Sequence, residues 1–224
     1  MRIGFTLCMA LSVAPIVGCF QMQEPAPRTA RIRVVHASPD APAVDICANG
    51  TAAFSDVAFP SATDYATVEE GTYQIRVVAA GSGCGGGGVI NAALPLPADT
   101  ETTVVAVNTL DSIEPLVLED DNSAPSAGTA KVRFVHASPD APTVDITLTD
   151  GTTLFDNVAF KEVGDYIEAP AGTLDLQVRD ETGTAIVLTL ENVTLQAGTV
   201  YTVYAIGLLN GTPALDALIT VDNE

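Results

Sequence analysis

The sequence predicts an all-β chain built as two tandem antiparallel β-sandwich domains, immunoglobulin-like or transthyretin-like in style. Three observations predict it. Val, Thr, Ala, Gly, Pro and Asp dominate, Trp is absent, and Lys occurs only at Lys131 and Lys161, a mix that favours strands and tight turns over helices. Apolar residues recur with a period of two: Tyr73, Ile75 and Val77 alternate with Gln74 and Arg76, and Leu174, Leu176 and Val178 with Asp175, Gln177 and Arg179. That is the pattern of strands with one buried face. Finally, the second half of the chain repeats the first at an offset of about 100 residues.

Taken in order, the chain begins with a targeting segment. Arg2 gives a positive start, and the apolar run Ile3 to Val17 has signal-peptide length but is interrupted by Pro15, which suits a leader better than a membrane span. The run ends in "IVGC", Ile16 to Cys19, which resembles the bacterial lipobox. The resemblance implies a signal peptide over residues 1–18 and a lipidated Cys19 holding the protein to a membrane, with several acyl chains because one binds only marginally. Phe20 stands where inner-membrane retention calls for Asp, so the same resemblance implies the outer membrane. Residues 19–29 read as a tether.

The first domain is expected over residues 30–120, a linker over 121–129 and the second domain over 130–224. "RIRVVHASPDAPAVDI" (Arg31 to Ile46) matches "KVRFVHASPDAPTVDI" (Lys131 to Ile146) at 12 of 16 positions. Downstream, "DVAF" answers "NVAF", Asp64-Tyr65 answers Asp165-Tyr166, "EGTYQIRV" answers "AGTLDLQV", and "TVVAV" answers "TVYAI". Seven or eight short strands per copy, separated by turn residues, fit a sandwich. Cys8 leaves with the signal and Cys19 takes lipid, so Cys47 and Cys84 remain to form a disulfide in an oxidising compartment.

"VHASPDAPAVDI", the "AF…DY" segment, the "(E/A)GTY/L" turn and the "TVxA(V/I)" strand resemble the bacterial family catalogued as Domain of Unknown Function 4397. The resemblance covers nearly all of the mature chain. It implies an exported β-sandwich protein, often lipidated and often in tandem, and carries no activity.

The repeated "HASPDAP" is the one motif with residue types that could do chemistry. His36, Ser38 and Asp40, like His136, Ser138 and Asp140, are the types of a base, a nucleophile and an orienter. A triad must point three side chains at one another, however, and Ser38 and Ser138 lack the strained strand-to-helix elbow that exposes a nucleophile, so no triad is expected. The expected role is a rigid corner: Pro39 and Pro42, or Pro139 and Pro142, fix the backbone around a carboxylate that accepts bonds from nearby amides. Asp40 with Asp45, and Asp140 with Asp145, are weak candidates for a cation. No catalytic residue and no cofactor is expected. The glycine-rich "GSGCGGGG" lacks the Lys-Ser/Thr pair and the helix of a phosphate loop and reads as a hairpin tip tied down through Cys84. A formal net charge of −19 excludes nucleic acid as a partner. The reading is a lipid-anchored, non-catalytic envelope protein acting as an interaction or structural module, its partner a membrane through the lipid and an envelope protein or polysaccharide. Carbohydrate binding is the alternative; its sign would be an exposed row of Tyr rings, whereas Tyr65, Tyr73, Tyr166, Tyr201 and Tyr204 mostly fall at core positions.

Overall fold

A computed structural model describes residues 26–223; the signal peptide, the Cys19 lipidation and most of the tether expected from the sequence lie outside the described residues. In the first copy the strands are β1 (Thr29–His36), β2 (Val44–Ala48), β3 (Thr51–Val57), β4 (Ser61–Ala62), β5 (Ala66–Glu69), β6 (Gly71–Ala79), β7 (Ile90–Leu96), β8 (Glu101–Val107) and β9 (Glu114–Glu119). The second copy supplies β10 (Thr129–His136), β11 (Val144–Leu148), β12 (Thr153–Val158), β13 (Ile167–Pro170), β14 (Gly172–Asp180), β15 (Ile186–Leu195), β16 (Val200–Ile206) and β17 (Asp216–Val221). One sheet of the first copy runs β4–β1–β8–β9, with β5 also on β1, and the other β3–β2–β6–β7. The second copy repeats both, as β13–β10–β16–β17 and β12–β11–β14–β15. Where the first has β4, the second has a lone bridge between Val135 and Val163.

The sheets are not antiparallel throughout. β1 runs parallel to β8, from Arg31 opposite Glu101 to His36 opposite Ala106, and β10 runs parallel to β16 in the same way. The chain leaves β1, builds the whole opposing sheet and returns beside β1 in the same direction, the long crossover that parallel neighbours require.

Both faces of these central strands are buried. On one face Ala30, Ile32 and Val34, with Val104 and Ala106, meet Ile46, Val77, Ile90 and Leu94 of the opposing sheet. On the other, Val35, Ala37, Val105, Val107 and Leu118 join Val135, Ala137, Tyr204 and Ile206 of the second copy in a single cluster. The two mixed sheets therefore stack on each other, giving four layers. The alternation in β6 and β14 describes the outer sheets; the near-continuous runs "TVVAV" and "TVYAI" are what burial on both faces selects.

The segment between copies is shorter as a linker than its composition suggests. Asp120 is buried, the Lys131 ammonium lies 2.9 Å from Asp121, and the Ser126 amide donates to Glu168. Thr29, Asp121, Asn122 and Asn223 line one cleft of about 500 Å³. The start of the first copy, the junction and the carboxy-terminal residues thus meet at one end, and β1 and β10 run from there to His36 and His136 at the other.

Candidate functional site

At that far end the two HASPDAP segments are corners, built alike. His36 and His136 close their strands fully buried, each with its ring edge-on to a phenylalanine, Phe59 or Phe160, at 6.2 Å. Nε2 of His36 lies 3.1 Å from the Pro42 carbonyl and Nε2 of His136 lies 2.9 Å from that of Pro142. A carbonyl only accepts, so Nε2 carries the proton and Nδ1 is left as an acceptor, enclosed and without a partner in both copies. Burial pushes both histidine pKa values down, against the pull of the Pro42 and Pro142 carbonyls; the rings are neutral at pH 7.

Ser38 and Ser138 are also fully buried. Ser138 Oγ donates to the Gly207 carbonyl at 2.8 Å, whereas Ser38 Oγ has no partner. Gly207, at φ +80°, is where a Cβ would meet the Ala214 carbonyl oxygen at 2.2 Å, so only glycine fits there. A nucleophile must reach substrate and a base must reach the nucleophile; here the hydroxyls are enclosed and the Nε2 protons are already donated to carbonyls.

The aspartates are exposed, not buried, and they do not cap their own turn. Asp40 Oδ1 accepts from the Leu110 amide at 2.7 Å, and Asp140 accepts from the Leu209 and Asn210 amides at 2.7 and 2.9 Å. They fasten the loops that follow β8 and β16. Asp45 accepts from the Asp56 and Gly81 amides, both at 2.9 Å, and these bonds hold its carboxyl below the usual range; Asp145 accepts from Asn157 at 2.7 Å. Each member of the suggested cation pairs is thus engaged with a different segment of backbone. Among the described residues no group of three or more His, Cys, Asp or Glu stands together as a metal would need.

Cys47 and Cys84 are bonded, with Cα atoms 5.8 Å apart, which ties the glycine-rich tip to β2. In the second copy Thr147 takes the place of Cys47, and Arg179 closes the hairpin by donating to Thr147 Oγ1 and to the Gly183 carbonyl.

Sequence reasoning missed the ionic centre between the copies. Arg33 is 2% exposed. Its Nε donates to Thr103 of its own sheet at 2.7 Å, while Nη2 and Nη1 cross to Asp222 at 2.6 Å and to the Val221 carbonyl at 3.3 Å. Arg133 repeats this with Thr202 on its own sheet and with Asp120 and the Glu119 carbonyl across the interface. Tyr65 and Thr103 donate to Asp120, both at 2.6 Å, and Tyr166, Thr202 and Thr220 donate to Asp222. The guanidinium of Arg33 lies 4.7 Å over the Tyr65 ring and that of Arg133 lies 4.8 Å over the Tyr166 ring. Buried charges persist only when paired and fully hydrogen-bonded, and here each copy supplies one cation and one anion to the other. A signal was present: Arg33 and Arg133 recur at the same place in both copies, each flanked by apolar residues, Ile32 and Val34 or Val132 and Phe134. The assumption of a single buried face hid it.

Tyr65 and Tyr166 thus stack on arginines. Tyr201 and Tyr204 are buried, and Tyr73 donates to the Glu69 carbonyl. None of the large hydrophobic side chains exposed among the described residues is aromatic, so no row of rings faces solvent there.

Fold and corners together define a tandem β-sandwich protein whose repeated motif is part of its scaffold. A model of the family described as "Domain of unknown function (DUF4397)" matches residues 30–147 and 147–224, and the chain belongs to that family, in two tandem copies. The division at residue 147 falls inside β11, so the first match takes in the repeated opening of the second copy. No curated protein matches the chain. Among solved structures it is similar to CBMbc (family CBM26) from Eubacterium rectale Amy13K in complex with maltoheptaose, at 9% identity and a TM-score of 0.29, over 85% of this chain and 96% of that one. Likeness at that level says nothing of what this chain binds.

Proposed function

We propose that this is a lipid-anchored, non-catalytic protein of the bacterial cell envelope, a rigid two-sandwich module that holds interaction loops away from a membrane. The observation that carries the reading is the use made of HASPDAP. His36, His136, Ser38 and Ser138 are spent inside the corners, and Asp40 and Asp140 fasten the loops after β8 and β16. The anchor rests on "IVGC" at Ile16 to Cys19. With the tether leaving from the end where Thr29, the junction and Asn223 meet, the corners and their loops point outward from the outer membrane. The partner on this reading is an envelope component that meets those loops.

The test is metabolic labelling with an alkyne fatty acid, followed by membrane fractionation. The wild-type chain should carry label and sediment with membranes, and Cys19→Ala should lose both. An unlabelled wild type, or a Cys19→Ala variant that stays membrane-bound, overturns the anchor. For the non-catalytic role, an active-serine probe should leave Ser38 and Ser138 unmodified in the folded protein; labelling of either overturns it.

A further inference from the structure

The face each sandwich turns to the other is self-complementary. Each copy brings an arginine (Arg33, Arg133), an aspartate (Asp120, Asp222) and the Thr and Tyr that hold it, together with matching apolar residues. Val35, Ala37 and Val107 of one copy correspond to Val135, Ala137 and Ile206 of the other. Any such sandwich therefore carries what is needed to pair with a second copy of itself, through the same reciprocal ion pairs. Two positions break the match: Leu118 stands where the second copy has Thr220, which donates to Asp222, and Val105 stands where it has Tyr204. Val105 lies opposite Val35 in the β1–β8 pairing, and Tyr204 lies opposite Val135 in the β10–β16 pairing, so the two are equivalent, and both are fully buried in the interdomain cluster. Tyr204 is wholly buried in that cluster, and its hydroxyl has no hydrogen-bond partner there. Burial raises its pKa, Arg33 and Arg133 lower it, and Asp222 and Asp120 raise it, so its hydroxyl feels both ion pairs at once.

We propose that Val105 and Tyr204 form a small–large key, fitting the first sandwich to the second and excluding either from pairing with its own kind. Two second-copy faces would bring two phenol rings into the space of one, and two first-copy faces would leave that space empty. Overpacking and cavities are each destabilising, so only the mixed pair fills that space. The misfits act as specificity by repulsion as well as attraction. The surface thus recognises a sandwich of this same family, and residue 105/204 decides which one. This inference stands apart from the anchor and from the display role of the loops.

Exchanging the key within the full-length chain tests it. Val105→Tyr alone doubles the ring and Tyr204→Val alone removes it, and each should lower the unfolding midpoint by roughly 5–10 °C. Val105→Tyr with Tyr204→Val restores one ring to the cluster, and its midpoint should return to within a few degrees of wild type. Should Val105→Tyr fail to fold, recovery of a folded chain in the double variant is the expected outcome. A double variant that loses as much as the two singles together, or that does not fold, overturns the key.

Discussion

At the scale of single residues, the two corners look identical in sequence and differ in what they bond. Ser138 Oγ has an acceptor and Ser38 Oγ has none. Ser138→Ala should therefore cost about 1 kcal/mol, while Ser38→Ala should be neutral or slightly stabilising, because an unmatched buried hydroxyl is removed. Asp140 fastens two amides and Asp40 one, so Asp140→Ala should cost more, on the order of 1–2 kcal/mol. Urea unfolding of the four variants checks both orders; equal losses at Ser38 and Ser138 would count against the corner geometry. The histidines give a pH dependence. Burial lowers both pKa values below their ordinary 6.5, so the folded chain refuses protons that the unfolded chain accepts. The neutral rings' contribution is complete above pH 6.5 and is lost as pH falls from there through the lowered folded values. Replacing His36 and His136 together by Gln should flatten stability between pH 6.5 and 5, and an unchanged slope would refute the assignment. That HASPDAP is a corner was legible from Pro39, Pro42 and the strand pattern. The partner of Asp40 was not, because Leu110 lies 70 residues away and local sequence points only to local amides.

Among the elements, the outer strands could be read from alternation and the inner ones could not. β6 and β14 bury one face and show it. β1, β8, β10 and β16 bury both, and nothing within one copy marks Arg33 of β1 or Arg133 of β10 as buried. The arginines make a clear prediction. Removing one member of a buried pair strands the other, so Arg33→Ala or Asp222→Ala should cost roughly 3–5 kcal/mol. Replacing the pair together, Arg33→Met with Asp222→Leu, removes both desolvation penalties and should cost much less than the two singles combined. Guanidinium unfolding of the three variants decides the matter; additive losses would show that the ion pair is not the unit holding the sheets.

The tandem repeat makes the whole molecule legible as two sandwiches, but not their stacking, because nothing local in either copy encodes the other as its lid. With Val35, Val105, Val107, Val135, Tyr204 and Ile206 buried between them, the copies should stay together without a covalent join. A protease site introduced at the exposed residues 126–128 should give two fragments that elute as one species in buffer and part only in denaturant; separation in buffer would mean the sandwiches are independent. The parallel pairing of β1 with β8 bears on how the molecule carries a load. Thr29 begins β1 at the end from which the tether leaves, and the strand runs straight away from it between β8 on one side and β4 and β5 on the other. Were the chain anchored ahead of β1 as proposed above, tension resisted at the distal loops would pull β1 lengthwise against β8. The bonds from Arg31 to His36 would then be strained in shear, all together, instead of being peeled apart one at a time, and the first element to feel a tug would be one that can yield only as a block.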